Sequence, residues 1–253
     1  MNEKKFDSKG GIYAKARPAY PKEVFDYLRS HGLTDRQKIV ADIGSGTGIF
    51  TTQISDYAKT VYAVEPNNDM RSIAEETFKG CPNIISVQAT AENTGLPASS
   101  VDFITVAQAF HWFDRFSFKR ECQRILKPDG KIVLLWNDRD SENDTVKENF
   151  AVNKLYCPNF KGSSNGIDFS KEGFSDFFDG AFDTIEFINE MQYDKTAFIE
   201  RNLSSSYAPL KYDTQYNAYI SALEAVFDRH QTNGTVLYPY ITRCYMGKIS
   251  GQP

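Results

Sequence analysis

Between residues 36 and 136, short apolar runs alternate with longer stretches in which apolar residues recur at helical spacing. "KIVADIG" (38–44), "TVYAVEP" (60–66), "IISVQAT" (84–90), "VDFITVAQAF" (101–110) and "GKIVLLWN" (130–137) read as strands. Between them, "GIFTTQISDYA", "DMRSIAEETFKG" and "FSFKRECQRIL" read as helices, the second stopped by a glycine. Strands alternating with helices at this interval predict βαβ units, a parallel sheet and right-handed crossovers. "TIEFINEMQY" (184–193) and "ITRCYMGKI" (241–249) add two strands, giving seven in all. Residues 138–180 break the pattern: they are polar, carry "GSSNG" at 162–166, and hold a weaker helical stretch, "TVKENFAVNKLY". "KTAFIERNLSSSYAP" and "QYNAYISALEAVFDRH" form a second helical zone. With no linker-like stretch, repeat or low-complexity segment, the chain reads as one domain over 1–253. Residues 36–136 are its binding core, and 1–35 and 138–235 supply substrate or lid elements.

Composition narrows the field. The 253 residues are 41% apolar and 25% charged, ordinary for a globular protein. A net charge of −4 and a pI near 5.5 carry no electrostatic footprint for nucleic acid or an anionic membrane. Cys81, Cys122, Cys157 and Cys244 lie far apart with no C-x-x-C, and His31, His111 and His230 share no metal-ligand spacing. Reduced thiols and no metal are therefore expected. No apolar run approaches a membrane span, and "MNEKKFDSKG" lacks the apolar segment of a secretory signal. A cytoplasmic protein, monomeric or homodimeric, is the expectation.

"ADIGSGTGIF" (41–50) sets glycines at three alternate positions behind an acidic residue, between a strand and a helix. Ligands of open α/β sheets bind there, beyond the carboxyl ends of the strands. Gly44, Gly46 and Gly48 have the spacing G-x-G-x-G, with Ser45 and Thr47 between them, not the G-x-G-x-x-G of dinucleotide sites. Asp42, two residues before the first glycine, would repel a phosphate and favour an ammonium group. Glu65 ends the second strand, where an acidic side chain can accept hydrogen bonds from both ribose hydroxyls, a device NAD sites also use.

"ADIGSGTG", "VYAVEP", "QATAENTGLPASSVDFITVAQAFHWFD" and "RILKPDGKIVLLW", in this order and spacing, resemble the class I S-adenosylmethionine-dependent methyltransferases. "YAKARPAYP", "FHWFD" and "SSSYAP" resemble, within them, the small-molecule branch that includes trans-aconitate methyltransferase-like proteins. The resemblance implies a Rossmann-like α/β fold: a seven-stranded, mostly parallel sheet with its last strand antiparallel, helices on both faces and helical lid insertions. It implies S-adenosyl-L-methionine as cofactor and methyl transfer to a small-molecule acceptor, a carboxylate or a hydroxyl. Backbone at Gly44–Gly46 would cradle the methionine end, with Asp42 near its ammonium or ordering the loop. Glu65 would hold the ribose, and Pro66 and Met70 would pack near the adenine. Thr90, Ala91 and Glu92 match the segment at the adenine edge. Thr90 stands where many relatives carry aspartate, so Thr90 or the backbone at Ala91 would replace that hydrogen bond. Gln108 and Ala109 would lie beside the sulfonium, a soft cation that carbonyls and aromatic faces suit. "PDG" in place of the commoner "KPGG" is a good turn in its own right.

Methyl transfer from a sulfonium is an in-line displacement, so alignment is the protein's main task. A general base is needed only for an acceptor that arrives protonated. His111, just past the fourth strand, is a candidate base, an orienting donor or a structural pin, and Trp112 and Phe113 are pocket wall or core. In "YAKARPAYP", Tyr13, Arg17 and Tyr20 precede the first core helix, and such a segment commonly folds over the cofactor. Arg17 is a candidate partner for the cofactor's carboxylate or an acidic substrate, since a guanidinium fork fits either anion. Tyr20 is a second catalytic candidate, and Tyr13 and Tyr207 are candidate substrate contacts. Two other functions stay open at this point: a nucleotide-dependent oxidoreductase, which the glycine spacing and Asp42 disfavour, and a non-catalytic cofactor-binding protein.

Overall fold

The first five apolar runs become five parallel strands: β1 (Ile39–Ile43), β2 (Thr60–Val64), β3 (Ile84–Val87), β4 (Val101–Ala107) and β5 (Leu126–Arg139). The computed structural model describes residues 17–32, 36–162, 172–179 and 182–249. Two further strands, β6 (Phe182–Tyr193) and β7 (Val236–Gly247), complete one sheet in the order β3-β2-β1-β4-β5-β7-β6. β7 lies between β5 and β6 and runs antiparallel to both, so the strand last in sequence is the reversed one, as expected. From β1 the chain winds outward to β2 and β3, then returns to β4 on the other side. β1 and β4 therefore flank the topological switch point, where a crevice opens at the strands' carboxyl ends.

Successive side chains of a strand face opposite sides of the sheet, and both sides are covered. Val40, Val61, Phe103, Val133 and Leu135 pack against Val24, Phe25 and Leu28 of α1 (Lys22–Ser30) and Phe50 and Ile54 of α2 (Ile49–Ser55). On the opposite face, Ala41, Ile43, Ile104, Ile132, Leu134 and Trp136 pack against Phe118, Cys122 and Ile125 of α4 (Arg115–Ile125) and Phe174, Phe177 and Phe178 of α6 (Glu172–Phe178). α3 (Asn68–Thr77) closes over β2 through Ala63 and Ala74. Burial on both faces is why these strands read as continuous apolar runs. A third core joins α5 (Asp144–Tyr156), α7 (Lys195–Leu203) and α8 (Tyr216–His230) to the first half of β7 through Phe198, Tyr219, Tyr238 and Tyr240.

Helix starts follow local chemistry. Asn67, Asp114, Asn143 and Asp194 each accept a backbone N–H of their helix's first turn, at α3, α4, α5 and α7. β5 begins earlier than its apolar run. Val101 pairs with Leu126 but Phe103 with Lys131, so the "KPDG" turn is a bulge inside the strand rather than its start. α6 falls in the polar stretch where the sequence shows only weak helical pattern. Among the described residues no helix is long and apolar enough to cross a membrane, and no His, Cys, Asp or Glu cluster could hold a metal ion.

Candidate active site

The turn from β1 into α2 is built on left-handed backbone. Gly44, Gly46 and Gly48 have φ of +71°, +56° and +84°, a region that strains any residue with a Cβ. A Cβ at Gly48 would sit 2.5 Å from the Phe78 ring, and one at Gly44 2.5 Å from Ala109 Cβ, so both positions are also filled by packing. Gly46 differs. Nothing lies within 4 Å of where its Cβ would point, so the backbone there faces open space. On either side, the buried hydroxyls of Ser45 and Thr47 have no hydrogen-bond partner among the described residues. Buried polar atoms are rarely left unpaired, and two on one loop mark a place where a ligand supplies the partners.

Glu65 faces this loop across the crevice. Its carboxylate is 8% exposed and accepts from Gly46 N–H (2.9 Å) and Asn67 N–H (2.9 Å). An ionised carboxylate can accept about four hydrogen bonds, so capacity for ligand hydroxyls remains. Asn67 in turn accepts from Met70 N–H at the start of α3, which fixes the rim. Beyond β4, Gln108 adopts φ +61°, an uncommon conformation for a side-chain-bearing residue. Its Nε2 donates to the Asn137 carbonyl (3.0 Å), and its backbone N–H bonds Leu135, which pins the strand end.

A short N-terminal strap closes the top. Gln53 of α2 grips Tyr20 at both backbone N–H (3.0 Å) and carbonyl (2.9 Å). Asn189 Nδ2 donates to the Ala19 carbonyl (2.9 Å), and Asn137 Nδ2 donates to Pro18 and Ala19. Thr242 fixes the Asn137 amide from β7. Strap and strand ends enclose a cavity of about 270 Å³.

That cavity gathers most of the residues singled out from sequence: Arg17, Tyr20, Gly44, Ser45, Gly46, Thr47, Glu65, Pro66, Met70, Thr90, Ala91, Glu92, Gln108, Ala109, Trp112 and Phe113 all line it. Glu92 also accepts from Asp114 N–H (3.0 Å), joining the fourth-strand loop to the wall. Four expected site residues do not line it. Gly48 is spent on the Phe78 contact. Asp42, 1% exposed, is held under the loop by the hydroxyls of Thr51 (2.6 Å) and Thr105 (2.9 Å), and burial raises its carboxyl to about 6. From this position the carboxylate ties β1 to α2 and β4 beneath the loop. His111 packs beside the Trp112 ring (centroids 4.6 Å apart), and burial, helped by the charge of Arg17, pulls it down to about 4. The imidazole is held neutral and does not itself line the cavity, although Trp112 beside it does. Tyr207 packs against Phe160, with the Arg139 guanidinium near its ring, away from the lining. Tyr13 lies outside the described residues.

Asn137, Arg201 and Tyr240 line the cavity and were not singled out from sequence. One signal was available. In "KTAFIERNL", Arg201 follows Phe198 by three positions, so helical spacing sets a charged residue on the buried stripe of α7.

The strand order, the reversed last strand, the glycine turn at the switch point and the acidic residue following β2 make this fold similar to that of the class I methyltransferases. Residues 41–134 match the methyltransferase domain family. The chain is similar to the uncharacterised methyltransferase Rv3342 of Mycobacterium tuberculosis, at 36% identity over 143 residues, 56% of each protein. It is also similar to the uncharacterised methyltransferase-like C25B8.10 of Schizosaccharomyces pombe, at 35% identity over 153 residues, 60% of this chain and 57% of that protein. The chain thus spans little more than half the length of the curated relatives it matches. Among solved structures, a candidate type II methyltransferase from Anaeromyxobacter dehalogenans superposes over 92% of this chain and 97% of its own, with a TM-score of 0.69 at 20% identity, a likeness of fold.

Proposed function

We propose that this chain transfers a methyl group from S-adenosylmethionine to a small-molecule acceptor. The observation that carries the reading is the pairing of Glu65 with the glycine turn: a ribose-type carboxylate facing open backbone at Gly46 and two unpaired hydroxyls. Bound S-adenosylmethionine would supply an electrophilic methyl on a sulfonium. Glu65 would hold its ribose hydroxyls, and Pro66 and Met70 would pack beside the adenine, with Thr90–Glu92 at its edge. Ser45, Thr47 and the backbone at Gly44–Gly46 would take the amino-acid end, with Arg17 as partner for its carboxylate. The residues present fit this group better than a pyrophosphate, because the turn lacks the dinucleotide spacing and Asp42 lies beneath it.

The remaining protein groups orient and exclude water. The strap, Trp112 and Phe113 cover the crevice, and holding two reactants in line can supply roughly 7–11 kcal/mol of a barrier with no covalent help. The test is transfer of tritium from methyl-labelled S-adenosylmethionine to a panel of small acids, phenols and amines. Wild type should label at least one of them, and Glu65→Ala should lose most of that rate. Label found only on protein or nucleic acid, or equal rates for the two proteins, would overturn the reading.

A further inference from the structure

α7 carries a buried cation with no carboxylate partner among the described residues. Arg201 is 3% exposed, and the groups acting on its charge are tyrosines and Arg139, with no described carboxylate among them. Its Nε donates to the Tyr240 hydroxyl (2.5 Å) and one terminal nitrogen reaches Ser205 Oγ (3.5 Å), while Nη2 bonds to no described residue. Burying an uncompensated charge costs several kcal/mol, so such a group is either relieved by a partner or selected against. Arg139, itself buried, sits close enough to add to the positive charge here. The Tyr207 hydroxyl reports the resulting field. Burial alone would push it up, but the two guanidinium groups bring it below its ordinary value.

Arg201 and Tyr240 both line the cavity. Tyr240 belongs to β7, two strands from β4 in the sheet order, so this end lies about 10 Å across the sheet from Gln108 at neighbouring-strand spacings of about 4.8 Å. Arg17, on the strap, is a separate cation for the cofactor's amino-acid end.

Resting on the methyl-transfer reading, we infer that Arg201 and Tyr240 form an oxyanion subsite that anchors an acidic group of the acceptor, remote from the atom that receives the methyl. A planar guanidinium with a free edge, beside a phenolic hydroxyl, matches a carboxylate or a phosphate. The acceptor is then a bifunctional molecule: an anion at β7 and a methyl-accepting atom near the end of β4.

Calorimetry on protein loaded with S-adenosylhomocysteine tests this, with glutarate, inorganic phosphate and the neutral glutaramide as probes. Wild type should bind at least one of the two anions tenfold or more tighter than Arg201→Gln does. Which anion binds tells carboxylate from phosphate, and glutaramide should not distinguish the two proteins. The affinity for S-adenosylhomocysteine should stay within twofold in the variant. Arg201→Lys keeps the charge without the fork; it should show a smaller loss and serves if the glutamine variant does not fold. Three results would overturn the subsite: neither anion binds, both proteins bind the anions equally, or the substitution weakens S-adenosylhomocysteine tenfold, which would give the guanidinium to the cofactor. Failure of wild type to bind S-adenosylhomocysteine at all would instead sink the proposed function.

Discussion

Asp42 pins the glycine turn from below, and its burial makes the pin sensitive to pH. Its carboxyl titrates near 6 in the fold, against about 3.9 in an unfolded chain. The folded state therefore binds this proton more tightly. The group's contribution to stability is fully present below about pH 4 and is lost as the pH rises through about 6. Asn at this position cannot titrate. The unfolding free energy of wild type minus that of Asp42→Asn should fall by about 2–3 kcal/mol between pH 4 and pH 7, from two pK units at 1.36 kcal/mol each. Denaturant unfolding across that range measures it, and a flat difference would contradict the burial argument. The glycines above Asp42 separate packing from binding. Gly48→Ala adds a Cβ against the Phe78 ring at φ +84° and should cost about 2–4 kcal/mol of stability. Gly46→Ala enters open space and should cost only about 1–2 kcal/mol, while weakening S-adenosylhomocysteine binding tenfold or more. Equal losses of stability in the two variants would mean that the loop is a structural turn alone.

At the scale of elements, the cavity depends on a strap tied to α2, β5 and β6 by Gln53, Asn137 and Asn189. Gln53 holds both polar groups of the Tyr20 backbone, so Gln53→Ala should loosen the strap while leaving the cores of the fold intact. The expected result is a five- to tenfold faster dissociation of S-adenosylhomocysteine in stopped-flow, with little change in melting temperature; an unchanged rate would show that the strap does not gate the site. This scale also explains which site residues were legible. Gly44, Glu65 and Gln108 follow directly from strand ends, so their places on the cavity wall are legible in contiguous sequence. Asn137, Arg201 and Tyr240 are brought together by a bulged β5, a reversed β7 and a lid helix, and no local spacing encodes that meeting. Tyr207 in "SSSYAP" is a candidate substrate contact by sequence, but Arg201, earlier on the same segment, is the residue that lines the cavity.

Across the whole molecule, the parallel sheet was readable because strands buried on both faces leave unbroken apolar runs. The edge strand β6 is mostly exposed on alternate residues, and its run was still recovered from its β-branched and aromatic content. α6 was not, since its short "EGFSDFF" buries aromatic rings against Trp136 without a full helical period to announce them. One sheet joins the glycine turn after β1 to β7, so a ligand at the switch point should stabilise the whole fold. At a hundredfold excess over Kd, linkage gives about 2.7 kcal/mol, which for a chain of this size raises the melting temperature by about 5–10 °C. The most direct measurement is calorimetric titration of the purified protein with S-adenosylmethionine, with NAD as the competing ligand. The expected result is one site of micromolar Kd for S-adenosylmethionine, weakened at least tenfold by Glu65→Ala, and no heat with NAD. Tight uptake of NAD with no affinity for S-adenosylmethionine would contradict the account.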